Sequence, residues 1–583
     1  MPMSHHRESI QSKLAVLYGH ERAAELVGPL VARLDAFAAA HPPRPPLAPA
    51  ERLTEDDVIL ITYGDQVCAE GEPPLHTLGH AIDDLFGGVV SGVHILPFYP
   101  YTSDDGFSVV DYTAVDPMLG SWEDLAPLRG RYRLMYDAVL NHISASSAWF
   151  KSFLLGEPEA EARFITLDPA TDVSQVTRPR THPLLTRFET ADGDRWVWTT
   201  FSEDQIDINF ANPEVLLAIL DVVLFYVAQG ADLLRLDAVG YIWKELGTRC
   251  IHLPQAHAIV QLLRSALDVA APHVLLVTET NVPHADNISY FGDGTNEAQM
   301  VYQFPLAPLV LNAFQAGAAT HLTRWASGLA APTAQTTFFN FLASHDGIGV
   351  VPASGILSND EVDALVLQAL EHGGRVSYKT NPDGTQSPYE LNITLFDMLS
   401  NPASADPYAI DRMVCANAIM LALQGVPGVY VHSLVGSHNN LLGLASTGRA
   451  RTINREKWSY EALRQQLAEP GGRAATVLAR MSRLIQARRH MRAFHPNSPQ
   501  KVLAGDPAVF SLLRGGDDAA PLVLCLHNVS ALPHELSLTA ARLGFDDGAS
   551  LVDMLGGAHY RPSGDGLLRI TLAPYQVLWL GAE

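Results

Sequence analysis

Cysteine is scarce in this chain. Cys68, Cys250, Cys415 and Cys525 are scattered over 583 residues, with no CxxC pair among them. That spacing excludes a zinc ribbon and a disulfide framework, and it suits a reducing cytoplasm. Positive charge is also in short supply. Lys and Arg number 39 against 63 Asp and Glu, a formal net charge of −24. A surface this acidic repels phosphate backbones and anionic lipid, so neither nucleic acid nor a membrane is expected as a partner. Long apolar runs are missing too. The first residues, MPMSHHRESIQSK, hold no apolar core of the kind a secretory leader needs. The most apolar stretches, such as residues 218–227, are too short or too interrupted to span a bilayer. A cytoplasmic location is the expectation.

What the chain does have is material for a large core. It is 47% hydrophobic and only 17% charged, which excludes a disordered chain. Residues 8–40 carry apolar side chains at Ile10, Leu14, Leu17 and Tyr18, then at Ala23, Leu26, Val27, Leu30, Val31, Leu34 and Phe37. Those helical spacings break near Gly19, which predicts a helical hairpin. It ends in His41-Pro-Pro-Arg-Pro-Pro, a stiff linker that no helix can continue through. Residues 1–52 are therefore read as an extension, free to pack on its own protein or to join two copies. A monomer or a homodimer is expected.

From residue 58 short continuous apolar runs recur at 58–63, 93–98, 134–140, 233–239, 274–278, 300–304, 338–343 and 426–431, with helical segments between them. Continuous runs suit strands buried on both faces, and eight strand–helix units predict an α/β fold, a (β/α)8 barrel over residues 53–495. Uneven spacing calls for insertions at about 143–231 and 347–410. After residue 496 short alternating strands at 509–513, 522–526, 567–572 and 576–580, set among Gly, Pro and Asp, predict an antiparallel β domain.

Barrel sites form where strands end. Strand four ends in Arg235-Leu-Asp237, strand five in Thr278-Glu279 and strand seven in Ser344-His345-Asp346. One strand-end carboxylate is as well explained by a helix cap. Three converging carboxylates, flanked by Arg235, His142 and His345, are costly to hold together and point to catalysis. A pair in which one stays ionised and one stays protonated fits glycosidic bond chemistry, and Arg235 would keep Asp237 ionised.

These residues resemble the α-amylase superfamily. Asp137-Ala-Val-Leu-Asn-His142, Arg235-Leu-Asp237, Glu279 and Phe341-Leu-Ala-Ser-His345-Asp346 match its four signature regions, and Gly425-Val-Pro-Gly-Val-Tyr430 resembles its strand-eight motif. Within it Asp104-Asp-Gly-Phe107, Arg178-Pro-Arg180, Gly240-Tyr241, Tyr389-Glu-Leu-Asn392 and Ile453-Asn-Arg455 resemble the sucrose phosphorylase branch. The resemblance implies a retaining double displacement with Asp237 as nucleophile, Glu279 as acid/base and Asp346 as transition-state stabiliser. It implies that Asp104 and Arg455 hold the far end of the glucosyl ring, that His142 and His345 bind hydroxyls, and that Phe107 and Tyr241 are apolar platforms. Phosphate is then a substrate, and no cofactor is called for. Asn141 with Asp207 could be the remnant of a calcium site, but a cage of six to eight oxygens is not evident, so no metal is expected.

Departures from the branch narrow the substrate. Glu390 stands where sucrose-acting members usually carry the Gln that holds fructose, the loop at 377–392 is long, and His432-Ser-Leu-Val-Gly-Ser437 differs from the sucrose pattern. The extension and the segment at 243–257 are more like longer members acting on 2-O-α-glucosylglycerate. Reversible phosphorolysis of that glucoside is the activity implied, with sucrose, sucrose 6′-phosphate and glucosylglycerol as alternative donors and a hydrolase or transglucosidase as the rival class. An anionic acceptor needs cations. Arg178, Arg180, Lys379 and His438, with Tyr389 and Glu390, are the candidates for the acceptor and phosphate subsite.

Overall fold

The computed structural model describes residues 3–329, 333–381, 383–546 and 548–583. Met1, Pro2, Pro382 in the 377–392 loop and Asp547 in the C-terminal region lie outside the described residues, as do residues 330–332. The eight apolar runs form the eight strands of one closed parallel barrel, taken up in chain order. They are β1 (Ile59–Thr62), β2 (Gly92–Ile95), β3 (Arg133–Ala138), β4 (Leu233–Leu236), β5 (Leu275–Thr278), β6 (Met300–Tyr302), β7 (Thr337–Asn340) and β8 (Val426–Tyr430). Nearly every strand residue is buried, as expected where side chains face either the barrel lumen or the surrounding helices.

Register sets the site. Asp137 of β3 and Val277 of β5 both lie opposite Arg235 of β4. Successive strand side chains alternate, so Arg235 and Asp237 share the inward side. The backbone N–H groups of Asp237 and Glu279 still pair with the carbonyls of Ala138 and Leu236, which carries the ladder one residue past β4 and β5.

The extension is a helical hairpin, α1 (Met3–Tyr18) and α2 (His20–Ala40), broken at Gly19. It packs on the outside of its own barrel, against α3 (Pro213–Ala228) and α4 (Pro254–Ala270). Ser9 meets Ser265 at 3.1 Å, Arg33 reaches Asp221 at 3.2 Å, and the Tyr18 hydroxyl donates to the Phe210 carbonyl at 2.8 Å. Leu14, Leu30 and Leu34 are fully buried and belong to the same apolar core as the barrel.

Between β3 and α3 the chain makes a hairpin of Leu185–Thr190 and Gly193–Trp198. After β7 it makes a three-stranded sheet in which Gln386–Asn392 lies between Ile348–Gly349 and Arg375–Thr380. The C-terminal region holds a six-stranded antiparallel sheet and a separate strand pair, with its own apolar cluster around Leu524, Leu551, Ile570 and Leu580. The four strands expected there are present. The additional strands Gln500–Leu503, His534–Leu538, Leu551–Asp553 and His559–Tyr560 are short or half-exposed and carry little apolar pattern to read.

Arg488 closes the floor of the barrel. It is fully buried and donates to the carbonyls of Leu421, Gly425, Phe494, Glu55 and Asp57, tying the entrances of β1 and β8 together. Arg488→Met would strand those acceptors without water. It is expected to lower stability by about 3 kcal/mol, read as a shift in urea midpoint at constant m. An unchanged midpoint would contradict this role.

Candidate active site

Arg235 is the electrostatic centre. Its buried guanidinium pairs with Asp137, stands 2.9 Å from Asp237 and 3.8 Å from Glu279, and lies over the rings of Phe107 and Tyr302. Asp137 also accepts from His94 of β2 at 2.6 Å, so one half of this array is wholly internal. The other half opens into a cavity of about 70 Å³ walled by Asp237, Glu279 and Asp346.

The three carboxylates differ in their surroundings. Burial pushes Glu279 up to about 7, and the neighbouring charges of Asp237 and Asp346 add to that, while Arg235 opposes it. Burial also raises Asp237, but Arg235 stands 0.9 Å closer to it than to Glu279, so Asp237 remains the stronger acid. Asp346 goes the other way. Its burial is more than offset by Arg451, with Arg455 and Arg235 adding to it, and it is held well below the usual carboxylate range. Burial drives His345 far down, so its imidazole is neutral.

Just past Asp237 the backbone turns. Ala238 has φ 48°, a left-handed conformation unusual for a residue with a side chain, and its N–H donates to Glu279 Oε2 at 3.1 Å. Asp104 and Asp105 are likewise left-handed at φ 53° and 48°, which turns the 104–107 segment into the cavity mouth.

The structure brings Asp104, Phe107, His142, Tyr241, His345, Arg180, Tyr389 and Glu390 to the wall alongside the three carboxylates. Phe107 stacks on His345 with centroids 4.8 Å apart, and His142 donates to the Phe107 carbonyl at 2.9 Å. Among the described residues Arg180 makes no ion pair or hydrogen bond; its guanidinium lies 5.8 Å over the Tyr389 ring. An outer cleft of about 840 Å³, between the 185–198 hairpin and the strand at 375–380, shares Arg180 and Phe201 with this cavity.

Four expectations need correction. Arg178 is not on the wall; its guanidinium turns to the carbonyl of His182. His438 is not there either, because Asp397 takes its Nδ1 proton at 2.5 Å and Phe396 packs against the ring. Lys379 lines neither the cavity nor the outer cleft, and burial with Arg249 nearby pushes its ammonium down. Arg455 is not on the wall; it pairs with Asp105, lies 3.7 Å from Asp346 and donates to the His345 carbonyl at 2.6 Å. The cation facing Asp104 is Arg451, which the sequence did not single out. It lies 3.8 Å from Asp104, 2.7 Å from Asp346 and 2.7 Å from Glu390. Gln205, 3.5 Å from Asp104 and also on the wall, was missed as well.

At Asn141 and Asp207 the Lys244 ammonium sits 2.7 Å from one side chain and 2.6 Å from the other, filling the position a cation would take. Among the described residues no group of three or more His, Cys, Asp or Glu is arranged to hold a metal. No helix among them is long and apolar enough to cross a membrane.

The family model described as alpha amylase, catalytic domain, matches residues 84–367. The chain is 54% identical over 537 residues to a glucosylglycerate phosphorylase of Allomeiothermus silvanus, covering 91% of this chain and 94% of that one. It is 44% identical over 575 residues to a glucosylglycerate phosphorylase of Escherichia coli, covering 98% and 100%. The solved sucrose 6F-phosphate phosphorylase from Thermoanaerobacter thermosaccharolyticum shares its fold, with a TM-score of 0.71 over 89% of this chain and 98% of its own at 22% identity. The chain belongs to the α-amylase family. Within that family it is a glycosyl-transferring phosphorylase.

Proposed function

We propose that the chain catalyses the reversible phosphorolysis of 2-O-α-D-glucosylglycerate to α-D-glucose 1-phosphate and D-glycerate. The observation that carries this is the cavity in which Asp237 stands 2.9 Å from Arg235 while Glu279, 3.8 Å from it, is pushed by burial up to about 7. The names of the two relatives above supply the substrate.

In the first half-reaction the Asp237 carboxylate attacks the anomeric carbon as the bond to the glycerate oxygen breaks. Glu279, raised to about 7 and so protonated below that pH, gives its proton to that oxygen, and a β-glucosyl ester on Asp237 results. Asp346 accepts hydrogen bonds from ring hydroxyls as positive charge develops on the sugar. In the second half a phosphate oxygen attacks the same carbon, Glu279 takes the phosphate proton, and Asp237 leaves as the carboxylate. Arg180 serves the anion in both halves, since its guanidinium has no carboxylate partner. No cofactor takes part, and the scattered unpaired thiols suit work in the cytoplasm.

The test supplies the glucoside with and without phosphate. Glucose 1-phosphate that forms only with phosphate is expected, and free glucose at a phosphate-independent rate would make the protein a hydrolase. With glucose 1-phosphate as donor, D-glycerate is expected to outperform glycerol, fructose and fructose 6-phosphate by ~10-fold or more, the scale a lost charged contact produces. A strong preference for fructose would overturn the choice of acceptor.

A further inference from the structure

The charge beside Asp346 comes from outside the barrel strands, and it is held in place by a second carboxylate. Arg451 reaches in from the segment after β8, with Nη1 2.7 Å from Asp346 Oδ1. Its Nη2 and Nε donate to the two oxygens of Glu390 at 2.7 and 3.2 Å. Such a two-point fork fixes the guanidinium plane as well as its position. Glu390 is only 2% exposed, and a carboxylate that deep is tolerated only when paired. The sheet after β7 sets it there. Glu390 lies opposite Gly349, three residues past Asp346, and a Cβ on Gly347 would come within 2.8 Å of the Glu390 Cβ. Glycine at 347 is what lets the strand carrying Glu390 close over the segment carrying Asp346.

We propose that Glu390 and Arg451 are positioning residues for the reaction: Glu390 anchors the Arg451 guanidinium so that Arg451 holds one oxygen of Asp346 and leaves the other to the sugar hydroxyls. Glu390 therefore spends its charge inside the wall and does not bind the acceptor. This rests on the role given above to Asp346.

The groups facing Asp346 are Arg451, Arg455, Arg235 and the neutral His345 ring on one side, and the Asp237 carboxylate and the Glu279 carboxyl across the cavity. Arg451 lowers it most. Without Arg451, burial and the charge of Asp237 act on Asp346 with less opposition and raise it. Without the charge of Glu390, Arg451 is left wholly to Asp346 and holds it at least as low as before.

The experiment compares the full-length wild type with Arg451→Gln, Arg451→Lys and Glu390→Gln, reading pH profiles of kcat/KM, kcat and KM separately, and the melting temperature. Arg451→Gln is expected to lower kcat about 100-fold with a smaller change in KM, and to move the acid limb upward. Arg451→Lys should restore part of both. Glu390→Gln should lower kcat by about 10-fold and leave the acid limb where it was or lower. A folded Arg451→Gln with an unmoved acid limb would overturn the proposal. So would a Glu390→Gln whose limb moves upward like that of Arg451→Gln, or a Glu390→Gln with wild-type kcat. If Arg451→Gln does not fold, Arg451→Lys decides, since wild-type kcat and an unmoved limb there count against the proposal. The phosphate dependence of the wild type, measured alongside, reports separately on the parent reaction.

Discussion

Asp237→Ala is expected to abolish turnover with every α-glucosyl donor, by about 10⁴-fold or more. Asp237 is the one carboxylate of the three that combines direct contact with the buried Arg235, at 2.9 Å, with a place on the cavity wall. Alanine removes the attacking atom and leaves Arg235 with surplus charge, so neither phosphorolysis nor synthesis should survive. The measurement is glucose 1-phosphate formation in one direction and phosphate release in the other, with melting to show that the variant folds. A mechanism-based fluorosugar should label the wild-type peptide containing residue 237 and fail to label the variant. Activity within tenfold of wild type would remove Asp237 from the nucleophile's role.

Glu279→Gln should be nearly as damaging with natural donors, by roughly 10²–10⁴-fold. Its signature is in the pH profile. A group raised to about 7 is protonated below that pH and loses its proton as pH rises through it. Wild-type attack on the glucoside, which needs the proton, should therefore fall on the alkaline side with a midpoint near 7. The glutamine variant cannot titrate and should lose that limb. A donor with a leaving group that needs no proton, α-glucosyl fluoride, should react with the variant at a rate close to wild type in the first half-reaction. If the alkaline limb persists in the variant, the acid lies elsewhere.

The barrel and its three carboxylates were legible in the sequence for the same reason. Strands buried on both faces must be continuously apolar, and the first polar residue after each run must lie at the mouth. The helical hairpin was legible from spacing, though its location on α3 and α4 was not, because an apolar stripe does not say what covers it. The acceptor region was read least well. Arg178 and Arg180 are two residues apart, yet one turns to a backbone carbonyl and the other to the cavity. Arg451 was missed because its partner Glu390 lies 61 residues away, on a strand of the sheet after β7, and no local motif records such a pairing. Glu390 drew attention as a departure in type, while its meaning lay in Arg451. The net charge of −24 proved uninformative about this pocket, where Arg180, Arg235 and Arg451 set the local field.

The left-handed turn at Ala238 has a stereochemical consequence. Its N–H donates to Glu279 Oε2, and the nearest Arg235 nitrogen also faces that oxygen, at 3.8 Å. Both donors stabilise negative charge on Oε2, so the proton of the neutral acid resides on the opposite oxygen. A carboxylate has two chemically equivalent oxygens, and this turn makes them inequivalent: one is tethered to the peptide that follows Asp237, and the other makes neither contact. A twist of one alanine thereby gives the two oxygens of Glu279 different surroundings.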